Sequence, residues 1–512
     1  MFDRRIAFSL LLAELSLIVL IIRLSYIWPF TVDDAYITFR YSSNLALGIG
    51  PTFNTIPPNT EGYTSFLWMI VMYIPHILRF DVLSFSKIIG GVLIFLSIIF
   101  SALLANELSR SLNKVEKFFA SACSIMSLAV IPLVPLHTVS GMETPLITFL
   151  ITLFIYLLII CARKPSTYKL VFLSMNGLLI GLTRPEANLL VLSGLLLLTI
   201  FYLTGDWRKK AVIYMTLFYF LPGIFYFLWR YWYYRLPFPL SFYAKVNNQL
   251  FAGASVVWEF LKATFLGLGI FVIISFLNRL RYIWLVAIPS LVFILLFVFP
   301  EHIMGYGFRF IFPILPVFAS IAGYGCGSLL AWITDRVKEK NKSMSYYGLI
   351  LGISLWLVLG LYSIGQTELI SRRNYYDNLE NSHVRLGKLL AQYQYYGSRP
   401  FLAISDSGAV PYYSKWNAVD IFSLNDVEIA VMDQRDPGYV FSFDPSLIII
   451  ASEDSEMMIP PFDHNLALFN DSLVRGMEVQ YKFKFNENYY LWVLSYPESK
   501  IEKFLNEKLA VR

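Results

Sequence analysis

Two adjacent carboxylates, Asp33 and Asp34, follow directly on the first long apolar segment of the chain. Desolvation of a charge at the end of a membrane span costs free energy, so an acidic pair there calls for a structural or functional explanation. Two like charges this close raise one another's pKa. A site that tolerates them commonly uses one as a base and holds the other with hydrogen bonds or a cation. The alternative is a pair of solvated loop carboxylates at a membrane surface.

Further polar clusters interrupt the apolar sequence, and several of them carry a bulky cation or a carboxylate. Their chemically active members are Glu61, Tyr63, His137, Glu143, Arg184, Tyr243, Lys245, His302 and Arg309. Cations beside carboxylates are what an anionic lipid headgroup and a proton acceptor would require. Each residue also has a structural explanation. Arg184 and Arg309 could snorkel from the ends of spans, and Glu143 could cap the helix that starts beside it.

The composition decides what kind of scaffold must position these residues. Of the 512 residues, 57% are hydrophobic and only 15% are charged, which excludes a soluble globular protein and indicates a polytopic membrane protein. The net charge of +6 comes from Lys and Arg scattered between apolar runs, so a nucleic-acid-binding face is discarded. The three cysteines all fall inside apolar runs and suggest neither a disulfide framework nor a zinc site.

The distribution of basic residues predicts the topology. There are six Lys and Arg clusters, the first at Arg4 and Arg5 and the last at 336–342. The positive-inside rule places all six in the cytoplasm if segment 62–79 lies in the outer membrane interface and does not cross the membrane. About eleven spans then remain. The N-terminus is predicted to be cytoplasmic and the C-terminus external. All of the unusual polar clusters fall on the external side, which predicts a single outward-facing site.

The last part of the chain has the composition of a soluble domain. We expect a transmembrane catalytic module at 1–369, with its first external loop at 30–84, and an external α/β domain at 370–512. Residues 375–393 read as a helix, 401–404 and 447–450 as buried strands, and 477–485 as a half-exposed strand. This order predicts a partly parallel sheet. The loop at 405–413, which holds Asp406 and Tyr412, either binds the acceptor or merely turns.

The polar motifs together resemble a known family. They look like the polyprenyl-phosphate-sugar-dependent glycosyltransferases of the C superfamily, and most like mycobacterial-type terminal arabinofuranosyltransferases. The motifs that carry the resemblance are Asp33-Asp34-Ala35-Tyr36-Ile37-Thr38-Phe39-Arg40, Glu61-Gly62-Tyr63, Ser140-Gly141-Met142-Glu143-Thr144, Leu182-Thr183-Arg184-Pro185-Glu186, Phe242-Tyr243-Ala244-Lys245, Phe308-Arg309-Phe310 and Leu424-Asn425-Asp426. One departure is Pro57-Pro58-Asn59-Thr60, where relatives more often carry a Pro-Gly turn.

The resemblance implies a lipid-phosphate sugar donor that enters from the bilayer and a first-loop aspartate as the catalytic base. Such a transfer needs a carboxylate for the acceptor hydroxyl and cations for the phosphate that leaves. We therefore assign Asp33 as the base and Asp34 as the residue that orients it or the acceptor. The candidates for binding the donor phosphate are Lys245, Arg309 and Arg184. The candidates for binding other parts of the substrates are Glu61, Tyr63, His137, Glu143, Tyr243, His302, Asp406 and Tyr412.

The expected protein is thus a multi-pass enzyme of the cell inner membrane. Its donor carries a sugar, best taken as D-arabinofuranose, with a mannosyl or aminoarabinosyl group as the alternative. Its acceptor is an envelope glycan, lipid or protein. The sequence requires no cofactor. A divalent cation on Asp33 and Asp34 is compatible with the pair, although no further ligand cluster demands one.

Two other function classes fit a polytopic chain. A secondary transporter would also carry charges among many spans, but the sequence shows no repeated halves and its charges lie at span ends and loops. A non-catalytic scaffold that displays the external domain would lose nothing when Asp33 is removed.

Overall fold

The computed structural model describes residues 3–202, 206–245, 251–277, 282–337, 342–397 and 399–509. Lys338 and Lys340, of the last predicted basic cluster, lie outside these ranges. The chain forms two compact units, each assembled from three segments. The first unit consists of Met1–Pro29, Ser86–Leu228 and Asn247–Arg373, and the second of Phe30–Phe85, Trp229–Val246 and Asn374–Arg512.

Long apolar helices dominate the chain. By length and composition, seven helices in the described residues are able to cross a membrane: Arg4–Ile27, Val82–Leu108, Thr144–Arg163, Asp206–Tyr234, Ala254–Leu277, Tyr306–Thr334 and Met344–Leu361. A pair bent by 65°, Lys114–Ala129 and Leu133–Val139, would add an eighth. Shorter apolar helices are Phe66–Leu78, Thr167–Thr183, Pro185–Phe201 and Ile283–Leu296. This is the pattern of a multi-pass membrane protein, as the composition predicts.

Small residues allow the helices of the first unit to pack closely. A Cβ on Gly323 would lie 2.4 Å from the carbonyl oxygen of Ala120, and one on Gly325 would lie 1.9 Å from that of Phe271. The helix Leu315–Thr334 therefore approaches a neighbouring backbone on two of its sides, a contact that small residues permit in membrane helices.

The helix Phe66–Leu78 occupies the segment predicted to lie in the membrane interface. The Ser65 side chain caps its first turn by accepting from the N–H of Trp68, and Arg79 ends it in a left-handed conformation at φ 58°. A helix of 13 residues is about 20 Å long, shorter than the roughly 30 Å hydrocarbon core of a bilayer. This length favours the prediction that the segment does not cross.

The second unit is built on one five-stranded sheet. Its strands are β1 (Phe401–Ile404), β2 (Asn417–Asp420), β3 (Leu447–Ser452), β4 (Glu478–Asn486) and β5 (Tyr489–Ser495). Their order is β2-β1-β3-β5-β4; β1 runs parallel to β2 and β3, whereas β5 runs antiparallel to β3 and β4. The predicted partly parallel α/β domain is confirmed.

Helices accompany this sheet in the second unit. The predicted helix at 375–393 begins at Tyr375 and continues through a π turn to Leu390. Besides Phe66–Leu78, the unit contains the helices Asp34–Ala46, Leu240–Lys245, Ala409–Ser414, Val427–Met432, Pro437–Phe441, Asp463–Val474 and Lys500–Leu509.

The first loop shares a hydrophobic core with the sheet. Side chains alternate along β1, so Leu402 and Ile404 enter one core while Ala403 enters the other. The core that contains Leu402 also contains Tyr41 and Phe53 of the first loop, both of them fully buried. The loop between the first two long helices is therefore folded as part of the unit that contains the C-terminal sheet.

Candidate functional site

The Asp33 carboxylate is held by the main chain of the loop that follows β1. The N–H of Ala409 donates to Oδ1 at 2.8 Å, and the N–H of Gly408 donates to Oδ2 at 3.1 Å. These two N–H groups lie at the start of the helix Ala409–Ser414, where main-chain donors have no helical partner and favour an anion. Asp33 is only 8% exposed. Loop 405–413 is therefore in direct contact with the first loop.

A glycine at position 408 makes this contact sterically feasible. A Cβ there would lie 2.2 Å from the main-chain oxygen of Asp33 and 2.3 Å from its Oδ2. Both distances are far below van der Waals contact, so any side chain at Gly408 would push the Asp33 carboxylate away.

A partly buried chain of hydrogen bonds adjoins this loop, and the sequence analysis did not find it. Nε2 of His383 lies 2.7 Å from Oδ2 of Asp406, and the Tyr489 hydroxyl donates to both Asp406 oxygens at 2.9 Å. On the other side of the ring, Nδ1 of His383 lies 2.9 Å from Oγ of Ser382. We call Asp33, His383, Asp406 and Tyr489 the first-loop cluster.

Charges in the first-loop cluster shift the protonation of its members. Burial raises the pKa of Asp33 to about 7; Asp406 and Asp34 act in the same direction, while the charge of His383 and the N–H of Ala409 oppose them. For His383, burial disfavours the cation, but the hydrogen bond to Asp406 and the charge of Asp33 outweigh it and raise the pKa above its ordinary value. A carboxylate that titrates near neutral pH suits a general base.

Asp34 and Tyr412 flank the cluster. Asp34 is the first residue of the helix Asp34–Ala46 and is half-buried. Tyr412 is also half-buried; the Lys415 ammonium lies 4.3 Å from its ring centroid, and its ring centroid lies 5.5 Å from that of Tyr36. The structure thus brings the predicted residues Asp33, Asp34, Asp406 and Tyr412 into one unit.

Arg40 fastens the first loop to the sheet. Its guanidinium donates to the main-chain oxygens of Phe53 at 2.7 Å, Trp416 at 2.6 Å and Pro411. The side chain is 2% exposed. The sequence shows a cation in a motif, but partners this far along the chain carry no local signal, so its structural role was missed.

Glu61 and Tyr63 are tied to other residues of the second unit. Glu61 pairs with Arg230, with 2.6 Å between Oε2 and Nη2. The Tyr63 hydroxyl lies 2.9 Å from that of Tyr234, which donates to the main-chain oxygen of Pro51 at 2.6 Å. Both predicted substrate-binding residues are buried, and these contacts hold the loop to the segment 229–246.

Three predicted residues of the first unit form a buried ionic cluster. Nη2 and Nε of Arg184 donate to Oε1 of Glu143 at 2.8 and 3.2 Å, and Nη2 of Arg309 lies 3.5 Å from the same oxygen. The order of the helices explains why Glu143 and Arg184 are in contact. Glu143 precedes the helix Thr144–Arg163, the next helix runs back, and Arg184 follows its end. Two guanidiniums thus lie against one buried carboxylate.

The two predicted histidines of the first unit have main-chain partners. Nε2 of His137 lies 2.8 Å from the main-chain oxygen of Gly307, and its ring centroid lies 4.5 Å from that of Phe312. Nε2 of His302 lies 2.8 Å from the main-chain oxygen of Phe297. These contacts orient both rings within the first unit.

The remaining predicted residues lie on a short helix of the second unit. Tyr243 is half-buried, and its ring packs edge-on against Phe242 with centroids 5.8 Å apart. Lys245 ends the helix Leu240–Lys245, and its side chain lies outside the described part of the structure. Among the described residues, no group of three or more His, Cys, Asp or Glu is arranged to hold a metal ion.

Comparisons with known proteins bear on the fold. A family model described as "Domain of unknown function (DUF8728)" matches residues 373–499. No curated protein matches the sequence. Among solved structures, ArnT from Cupriavidus metallidurans bound to undecaprenyl phosphate superposes with a TM-score of 0.59 at 13% identity. The match covers 95% of this chain and 98% of ArnT. The protein has the ArnT fold.

A second neighbour supports the same architecture. The oligosaccharyltransferase AglB from Archaeoglobus fulgidus, in complex with an inhibitory peptide and a dolichol-phosphate, superposes with a TM-score of 0.52 at 11% identity. That match covers 86% of this chain and 69% of AglB. The prediction of a polytopic helical membrane protein with a C-terminal α/β domain is confirmed, and its fold is similar to those of ArnT and AglB. At these identities the ArnT likeness concerns the fold alone.

Proposed function

We propose that the protein is a membrane glycosyltransferase that moves a sugar from a polyprenyl-phosphate donor to an acceptor outside the cytoplasm. The ArnT fold supports this, since that neighbour binds undecaprenyl phosphate. The observation that carries the proposal is the Asp33 carboxylate, which is fixed by two main-chain N–H groups and has its pKa raised by burial to about 7.

The reaction follows from the chemistry of a phosphodiester-activated sugar. The acceptor hydroxyl attacks the anomeric carbon, its proton passes to a first-loop carboxylate, and the bond between that carbon and the phosphate oxygen breaks. The bonding pair leaves with the polyprenyl phosphate, whose charge increases. No oxidant or nucleotide enters this balance. The carboxylate contributes general-base catalysis, and cations stabilise the leaving group.

Asp33 is our first choice as the base, because each of its oxygens can accept a further hydrogen bond beyond the one from the main chain. A second candidate is Asp34, which is half-buried and therefore more accessible to an acceptor. If Asp34 is the base, then Asp33 serves as its anchor. The two assignments predict opposite results for single substitutions.

Arg184 and Arg309 are our candidates for contacting the donor phosphate, because their two guanidiniums lie together at Glu143 and a guanidinium suits a phosphate. Lys245 is retained as a third candidate from its motif. For the sugar we propose D-arabinofuranose, with a mannosyl or aminoarabinosyl donor as the alternative. The acceptor is an envelope glycan, lipid or protein, with the protein in the cell inner membrane and its C-terminal domain outside the cytoplasm.

A transfer assay tests the proposal. Full-length protein in lipid nanodiscs is supplied separately with polyprenyl-phosphate arabinofuranose, mannose and aminoarabinose, and release of polyprenyl phosphate is measured with and without envelope extract. We expect one donor to be consumed by the parental protein. Asp33→Asn and Asp34→Asn identify the carboxylate that is required. If all three donors stay intact while the nanodiscs take up a labelled solute, the proposal is wrong and a transporter is favoured.

A further inference from the structure

We propose that His383 is a positively charged positioning residue, which holds the loop 405–409 so that its N–H groups fix the Asp33 carboxylate. The proposal deepens the function proposed above and rests on it. His383 does not contact the reacting atoms in this scheme. It acts through Asp406, which lies two residues before Gly408.

The hydrogen-bond geometry favours a proton on each ring nitrogen of His383. The Ser382 hydroxyl has a single hydrogen, and it is donated to the main-chain oxygen of Asn378 at 2.6 Å. Oγ of Ser382 can then only accept from Nδ1 of His383, 2.9 Å away. At the other nitrogen, Nε2 faces Asp406 at 2.7 Å. The Tyr489 hydroxyl shares its hydrogen between the two oxygens of this group, which favours the ionised carboxylate as the acceptor from Nε2. A ring that donates from both nitrogens is the imidazolium.

The charges around His383 are consistent with a buried cation. Asp406, in the loop after β1, lies 2.7 Å from its Nε2, and the charge of Asp33 also favours the cation. The ion pair with Asp406 compensates part of the cost of burying that charge. The ring is also fixed by packing, because its centroid lies 5.5 Å from that of Phe485 on β4.

The chain of contacts gives the cation a mechanical consequence. Oγ of Ser405 accepts from the N–H of Ala451 on β3 at 3.0 Å, which ties the start of the loop to the sheet. The next residue of the loop, Asp406, is held by its bond to His383. Further along the loop, the N–H groups of Gly408 and Ala409 hold Asp33. Loss of the imidazolium proton would break the charge-assisted bond to Asp406. The loop would then lose one of the contacts that orient these two donors.

Protonation is measured first, without any transfer reaction. The chain has five histidines, so ¹⁵N-histidine NMR of the full-length protein in nanodiscs gives few signals, which single His→Gln variants assign. We expect both His383 nitrogens to be protonated at pH 6.5. In Asp406→Asn the midpoint of the His383 titration should fall to lower pH. A His383 ring with one protonated nitrogen at pH 6.5 would overturn the proposal even if the enzyme is active.

The second measurement is the pH dependence of kcat/KM, which separates positioning from a merely structural role. The His383 charge lowers the pKa of Asp33, so its loss should raise that pKa. We expect His383→Gln to move the acid limb of the kcat/KM profile, the pH range in which activity rises, to higher pH by about one unit. His383→Lys, which keeps a cation, should restore part of the lost rate.

His464→Gln is the matched control, because His464 is half-buried in the same unit and contacts Arg435 instead of the cluster. Its acid limb should stay in place. If His383→Gln lowers the rate but leaves the limb where it is in the parental protein, His383 is only structural. If no donor is consumed while His383 titrates as expected, the proposed function fails, and the protonation result still stands.

Discussion

The Asp33 carboxylate and the Ala409 main-chain N–H, 376 positions apart in sequence, are joined by a hydrogen bond of 2.8 Å. A first-loop acid is thereby oriented by a loop of the C-terminal sheet. In the proposed reaction the C-terminal domain contributes to the geometry of the catalytic base. It would not serve only to recruit an acceptor.

Replacing Asp33 by Asn should lower the transfer rate by about 10²–10⁴, the usual contribution of a positioned general base. The variant should also be less stable. Both Asp33 oxygens accept main-chain N–H groups, so the amide nitrogen of Asn would face a donor, and the melting temperature should fall. Transfer rate, donor affinity and melting temperature are measured together. Full activity in Asp33→Asn with loss in Asp34→Asn would assign the base to Asp34.

Gly408→Ala tests the close approach at the loop. The added methyl group would overlap Oδ2 of Asp33, so the carboxylate must move, and the rate should fall by at least about tenfold. Gly352→Ala is the matched control, because a Cβ there meets nothing within 4 Å and the residue lies in the helix Lys342–Leu361. Equal activity in the two variants would show that the Asp33 contact is dispensable.

The pKa of Asp33 predicts an acid limb in the pH profile. Because the carboxylate must lose its proton to act as a base, kcat/KM should rise as the pH passes about 7. The same shift affects stability. Between the ordinary pKa of 3.8 and about 7 the folded protein holds a proton that the unfolded chain has lost, so the free energy of unfolding declines as the pH rises through this window. In Asp33→Asn this contribution to the pH dependence of unfolding should disappear.

Arg40→Lys tests the attachment of the first loop. A lysine ammonium cannot reproduce the two guanidinium contacts to the carbonyls of Phe53 and Trp416, so these buried acceptors lose partners. The free energy of unfolding should therefore fall by about 2–4 kcal/mol. Arg475→Lys, in an exposed pair with Asp471, should cost less than about 1 kcal/mol. The melting temperatures of the two variants are compared by thermal unfolding, followed by intrinsic fluorescence. Similar melting temperatures would mean that the Arg40 contacts contribute little.

Arg309→Ala should weaken binding of polyprenyl phosphate by about tenfold, because a charge-assisted contact to the phosphate is lost. Acceptor KM should change less. Arg336→Ala is the comparison: Arg336 is exposed and donates to the main-chain oxygen of Trp332. The measurement is displacement of a labelled polyprenyl phosphate from purified protein. Unchanged affinity in the Arg309 variant would remove this residue from the proposed phosphate site.

Elements with local patterns were predictable from the sequence. The strands at Phe401–Ile404 and Leu447–Ser452 followed from short apolar runs, and the helix that begins at Tyr375 followed from its periodicity. Glu143 and Arg184 were predicted to belong to one site, and in the structure they form an ion pair. Such features depend on residues close together in sequence or on a simple up-and-down arrangement of helices.

Long-range partners were not predictable. Nothing in the sequence around His383 indicates that its ring faces Asp406, since the pairing depends on how a helix packs on a strand end. Likewise Tyr63 looks like a sugar-binding aromatic in its motif, yet in the fold it bonds to Tyr234. A motif gives the residue types, whereas burial and packing decide which of them are held by other protein groups.

The discontinuity of the second unit has a consequence for biosynthesis. Residues 30–85 leave the ribosome long before Asn374–Arg512, which complete their hydrophobic core. At about 5–20 residues per second, this delay is roughly 15–60 s. During that time Tyr41 and Phe53 lack their native packing partners, so the nascent loop needs a chaperone or the membrane surface to shield it. Premature termination before β1 would leave the first loop without its native core and make it a substrate for quality-control proteolysis.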